Sequence, residues 1–177
     1  ALFVSAAYGL YYLEDVVRFQ DSFPGRRPES GLALLVVVST LANIVGSVAA
    51  GRLSDRTGRR RIFILGAGLA IGIAMLIAAI APSWPVVIAA WVLLGAGMGG
   101  FTAVESALIA QVLPSVRTAG KDLGLMNLGN TLPQCIGPLL AILLLRGVHP
   151  DYRLFFAIAG LIAIFGALAV QPIRSVR

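Results

Sequence analysis

Gly51-Arg52-Leu53-Ser54-Asp55-Arg56-Thr57-Gly58-Arg59-Arg60-Arg61 is the stretch that decides how the rest of this chain is read. It packs five arginines and one aspartate into eleven residues. The runs on either side continue for about twenty residues without a charge, long enough for each to cross a ~30 Å hydrocarbon layer as a helix. The stretch therefore reads as a short charged turn between two membrane spans. Loops rich in Arg stay on the cytoplasmic side, and that orients everything else.

Composition excludes the competing classes. Hydrophobic residues make up 58% of the chain and charged residues 12%, where a soluble domain carries about 25% charged. The net charge of +6 does not point to nucleic acid, because a DNA or RNA binder spreads its cations over a polar surface, whereas these sit between apolar runs. Cys135 is the single cysteine and His149 the single histidine, so there is no disulfide framework or thiolate cluster and little from which to build a zinc site. No metal, cofactor or catalytic constellation is expected, and the chain does not read as an enzyme.

The apolar runs give an all-α membrane protein with spans at about 1–13, 31–50, 62–81, 86–112, 122–145 and 154–170. The chain opens at Ala1 already inside the first run, which reads as a truncation. Tyr8, Tyr11 and Tyr12 near the end of that run have the placement of interfacial tyrosines. A polar segment, 16–30, follows as an external loop. In the second span Ser39, Asn43 and Ser47 recur every four residues and share one helix face, which must point into a bundle to find partners. The third span carries no polar side chain and is expected to face lipid over much of its circumference, with Gly68 and Gly72 admitting one close neighbour.

Pro82-Ser83-Trp84-Pro85 reads as an uncharged external turn. Gly95, Gly97 and Gly100 beyond it match a dinucleotide-site spacing, but that pattern needs a strand, turn and helix. Mid-span, the glycines are better explained by helix packing. Glu105 stands roughly 9 to 13 Å inside the end of the fourth span. A carboxylate there costs at least ~2.5 kcal/mol if it faces lipid, so it faces the interior, as a proton-coupling group or as a hydrogen-bonded strut. Pro114 to Gly120 reads as a second cytoplasmic turn, with Thr118 or Asp122 available to cap the next helix. In the fifth span Asn127, Asn130 and Gln134 line one face, for solute contact or for interhelical hydrogen bonds, and Pro133 and Pro138 are expected to interrupt the helix. The sixth span is again without polar side chains.

The charge distribution agrees with this orientation. Inner segments hold Arg52, Arg56, Arg59, Arg60, Arg61, Arg117, Lys121, Arg174 and Arg177, and outer ones only Arg18, Arg26, Arg27, Arg146 and Arg153. The central stretch and the C-terminus are thus cytoplasmic in a multi-pass protein of the cell membrane. Six spans fall into two inverted three-helix triplets, the arrangement expected of a transporter half.

At this point Gly51-x-Leu53-Ser54-Asp55-Arg56-x-Gly58-Arg59-Arg60 closely resembles the signature loop of the major facilitator superfamily, with every position of G-x-L-[AS]-D-[RK]-x-G-[RK]-[RK] matched. First halves of that family usually carry an arginine in the fourth helix, and no Arg or Lys occurs here between Arg61 and Arg117. The run from Gly120 to Gln134 resembles the eleventh helix of bacterial, especially actinobacterial, members. The resemblance covers essentially the whole chain and implies the second half of a major facilitator fold, with the N-terminal half missing.

What the resemblance implies is transport of a small solute by alternating access, coupled to protons. Asp55 would dock on a helix N-terminus of the missing half, with Arg56, Arg59 and Arg60 adding ionic contacts that close the cytoplasmic side around Gly51 and Gly58. Tyr8, Asn127, Asn130 and Gln134 are the candidates to line a cavity for a sugar or a drug, and Glu105 to couple protons. The competing expectations are a non-transporting assembly or receptor protein on the same scaffold, and a fragment inactive without its other half.

Overall fold

The computed structural model describes residues 2–80, 83–112, 119–144 and 151–169. Every element among them is a helix: α1 (Leu2–Asp15), α2 (Phe19–Ser22), α3 (Pro28–Thr57), α4 (Arg60–Ile80), α5 (Trp84–Val112), α6 (Ala119–Leu144) and α7 (Tyr152–Leu168). Three are long and apolar enough to cross a membrane, over Pro28–Thr57, Arg60–Ile80 and Trp84–Ala107, and α7 is a shorter apolar helix. The end of the bundle carrying Gly51 to Arg61 is called inner below, and the opposite end outer. Ala1, Pro82, the turn through Pro114, Arg117 and Thr118, the loop with Arg146 and His149, and the tail with Arg174 and Arg177 lie outside the described residues, as do the side chains of Lys121 and Asp122.

The deciding stretch is mostly helix, not turn. α3 runs for 30 residues from Pro28 at its first position, where a missing N–H costs nothing. Nothing between Ala50 and Thr57 breaks it. Gly51 to Thr57 therefore form its last two turns, and the turn shrinks to Gly58 and Arg59. Gly58 sits at φ 65°, ψ 4° and donates its N–H to the Ser54 carbonyl at 2.9 Å, a left-handed cap that favours glycine. The charged residues do not mark where the helix stops. In the same way α6 runs unbroken through Pro133 and Pro138, each removing one donor while the flanking bonds keep the helix.

Two backbone-close seams hold the long helices together. A Cβ at Gly95 would collide with the Ser39 carbonyl, one at Gly99 with that of Asn43, and one at Gly46 with Ala96. The Ser39, Asn43 and Ser47 face thus points into the bundle, onto α5. Gly97 faces α4, where a Cβ would come 3.0 Å from the Ala67 carbonyl. The glycines of the apparent dinucleotide pattern are packing residues of α5. On the far side of α4, a Cβ at Gly68 would lie 2.7 Å from that of Ala167, and one at Gly72 would lie 2.9 Å from the Gly160 carbonyl. Small residues permit such approach, which membrane helices use in place of a hydrophobic drive.

These seams correct one expectation about lipid exposure. α4 is sandwiched between α5 and α7 and buries 44% of its apolar window, against 11% for α3. With small residues on more than one face, α4 admits two neighbours. α7 keeps Leu161, Ile162 and Phe165 exposed.

At the outer end the packing is aromatic. Tyr11 is 52% exposed, but Tyr12, expected beside it at the interface, is fully buried. Its ring stacks on Trp91 at 6.0 Å and meets Phe156 edge-on at 4.9 Å. Its hydroxyl donates to the Ala78 carbonyl at 2.5 Å, in the last turn of α4, where carbonyls lack partners within the helix. Tyr12 is therefore a core residue joining α1 to α4, α5 and α7. Asp151 caps α7 by accepting from the Leu154 N–H at 3.0 Å.

Candidate functional site

At the inner end the Gly58 turn brings the start of α4 back beside the end of α3. Arg60, in the first turn of α4, is turned inward: its side chain is 13% exposed and pairs with Asp55 at 3.2 Å, while Asp55 is 66% exposed. A second guanidinium nitrogen donates to the Ala107 carbonyl of α5. One side chain thus ties α3, α4 and α5, a use the planar, forked guanidinium suits. Arg56 and Arg59 are exposed and Gly51 packs beside Ala103. Ser54 is buried with its hydroxyl unpartnered among the described residues. The signature residues are brought together, but Arg60 acts within the bundle instead of standing on its surface.

Glu105 lies two residues, about half a turn, before Ala107 and is half-buried. Among the described residues it makes no ion pair; the one such pair joins Arg60 and Asp55. Thr102 and Ser106 beside it are exposed, and each returns its hydroxyl to its own helix, to the Met98 carbonyl at 3.0 Å and the Thr102 carbonyl at 2.8 Å. This stripe extends the polar surface around Glu105 and was missed in the sequence, although Met98, Thr102 and Ser106 follow at a four-residue spacing that could have flagged it.

Tyr8 is half-buried on α1, edge-on to Phe155 at 5.3 Å. α6 lies beside α1 and α7. Asn127 and Gln134 on α6 are exposed, and the side chain of Asn130 lies outside the described residues. Tyr8 and the amide face therefore belong to neighbouring helices, but no described hydrogen bond joins them. A cavity of about 450 Å³ opens at the outer end, lined by Glu14, Arg18, Phe19, Gln20 and Asp21. None of the candidate residues whose side chains are described contributes to it.

The model of the Major Facilitator Superfamily matches residues 16–176. The chain belongs to the major facilitator superfamily. That family comprises membrane transporters and not enzymes, and together with the apolar helices it makes this a multi-pass membrane protein. The chain is 31% identical over 143 residues to an uncharacterized MFS-type transporter of Bacillus subtilis, YfiU, covering 79% of the chain and 27% of that protein. It is 36% identical over 114 residues to a probable 4-methylmuconolactone transporter of Cupriavidus pinatubonensis, covering 64% of the chain and 26% of that protein. The chain thus spans about a quarter of the length of these curated relatives. No solved structure matches it.

Proposed function

We propose that this chain is the second six-helix half of a proton-coupled transporter that moves a small organic solute across the cell membrane by alternating access. In this reading α1 and α3 to α7 all cross the bilayer as two inverted triplets, and a first half outside these residues completes the cavity. The Arg-rich inner end and the C-terminus are cytoplasmic. Asp55, held on one side by Arg60 and 66% exposed, meets the positive end of a helix in the other half, with Arg56 and Arg59 beside it. Tyr8, Asn127, Asn130 and Gln134 line the cavity. The name of the Cupriavidus relative puts 4-methylmuconolactone first among the solutes to test, before a sugar or a drug.

The observation that carries the coupling is Glu105, a half-buried carboxyl near the inner end of a span that holds no other charged side chain, without an ion-pair partner among the described residues. Ionisable groups so placed commonly lie on proton paths. In the intact transporter, Glu105→Gln keeps the shape and much of the hydrogen bonding but cannot titrate. Accumulation driven by a pH gradient should be lost while solute exchange across the membrane survives. Wild-type accumulation in the mutant would leave Glu105 a structural role.

A further inference from the structure

The glycine seam between α3 and α5 has two sides. On one, a Cβ at Gly100 would meet that of Ala50 at 3.2 Å, that of Ala67 on α4 at 3.7 Å and the Gly46 carbonyl at 3.9 Å. Small apolar residues fill this side, toward α4. On the other, a Cβ at Gly99 would collide with the backbone of Asn43 and come 2.9 Å from the Ser47 nitrogen. Gly99, Thr102 and Ser106 follow at three- and four-residue steps, and Ser47 stands four residues after Asn43, so both helices carry polar residues down this side. Trp91 lies three turns before Thr102 on the same face of α5. There α1 crosses the seam, a Cβ at Gly9 lying 3.1 Å from Leu32 and 3.9 Å from Trp91. A recess is thus bounded by α1 at its outer end and by Asn43, Ser47, Thr102 and Ser106 further in.

The hydrogen-bonding capacity of this wall is specific. The Thr102 and Ser106 hydroxyls donate to the carbonyls of Met98 and Thr102, so away from their own helix their oxygens can only accept. Asn43 and Ser47 are half-buried and make no side-chain hydrogen bond among the described residues. The Asn43 amide therefore offers two donors and an acceptor. Polar groups in a membrane bundle need partners, and Asn43 stands at the middle of α3, the depth at which transporters hold their solutes. A hydroxyl group satisfies both helices at once, donating to Thr102 while accepting from Asn43. None of the apolar runs carries Lys or Arg, so an anion finds no countercharge on this wall and has Glu105 below it. An ammonium could use the acceptors but would leave the amide donors idle.

We propose that Asn43, Ser47 and Thr102 form the mid-depth wall of the solute site and select an uncharged, hydroxyl-rich solute of sugar-like chemistry. The inference rests on the transporter reading above and deepens it. Here the order of solutes comes from the hydrogen-bonding chemistry of the wall and not from a relative's name.

Proteoliposomes of the intact transporter, assayed with glucose, ribose and sorbitol, with 4-methylmuconolactone and with the tetraphenylphosphonium cation, test this. At least one of the three polyols should be moved. For that polyol Thr102→Val, which keeps the shape and loses the oxygen, should raise KM roughly tenfold, the value of about one hydrogen bond. Thr102→Ser keeps the oxygen and should keep the wild-type KM. Asn43→Leu should act like Thr102→Val, whereas Ser39→Ala, whose hydroxyl is turned back to the Val36 carbonyl, should leave KM unchanged. Movement of the lactone or the cation but of no polyol would keep the transporter and overturn the wall. So would a loss of thermal stability in Thr102→Val with KM unchanged, which would make this side a seam to the other half. Movement of none of the probes would sink the transporter reading and this inference with it.

Discussion

At the outer end Tyr12, Trp91 and Phe156 meet ring to ring with centroids 4.9 to 6.2 Å apart. At the inner end a single guanidinium, Arg60, joins α3, α4 and α5 through Asp55 and the carbonyl of Ala107. The first fastening is spread over many weak contacts, each individually small and collectively large, and does not respond to salt or pH. The second is concentrated in a few directional bonds, one of them to an exposed carboxylate. The outer end is therefore the firm end of this bundle, and the inner end can be released by changing one contact. In the proposed reading that is where Asp55 meets the other half.

Three substitutions test this contrast, in order of expected effect. Trp91→Ala removes the ring on which Tyr12 stacks and leaves a cavity between α1, α5 and α7. It should destabilise the purified protein by about 3 kcal/mol or more, read as thermal unfolding in detergent. A loss smaller than that of the inner-end variant would reverse the comparison. Arg60→Lys keeps the charge but loses the fork, and should cost about 2 kcal/mol, the range for hydrogen bonds to charged groups. Salt should reproduce part of that loss in the wild type, since the exposed Asp55 contact is screened while the bond to Ala107 is sheltered. No salt dependence would mean that Asp55 adds nothing to the clamp. Ser54→Ala should raise stability by about 1 kcal/mol, because the hydroxyl it removes is buried without a partner. A loss instead would reveal a partner in the intact protein and make Ser54 part of the inner fastening.

How much was legible in the sequence varied with the kind of feature. The charged stretch from Gly51 to Arg61 identified the family on its own, because its residues are contiguous and each position is tied to the next. The small-residue pair Gly68 and Gly72 and the Ser39, Asn43, Ser47 face were also readable, since helical period places such residues on one side. The end of α3 is not legible, because the charge pattern suggests a turn from Gly51 while only Gly58 carries the backbone conformation that stops the helix. The sequence does not separate Arg60 from Arg56 and Arg59. Three arginines within five residues look alike in sequence, and only the path of the chain after Gly58 turns one of them inward.

From sequence alone came the apolar runs, the polar faces and the membership in a transporter family, all set by local composition and period. Tertiary structure decided which helices those faces meet. It put Tyr12 in the core and Tyr11 at the surface, placed α4 between α5 and α7, and joined Asp55 to α5 through Arg60. The physical reason is that neighbouring residues on a helix point about 100° apart. Which of them is buried depends on a partner far away in the chain, such as Ala78 for Tyr12 or Ala107 for Arg60.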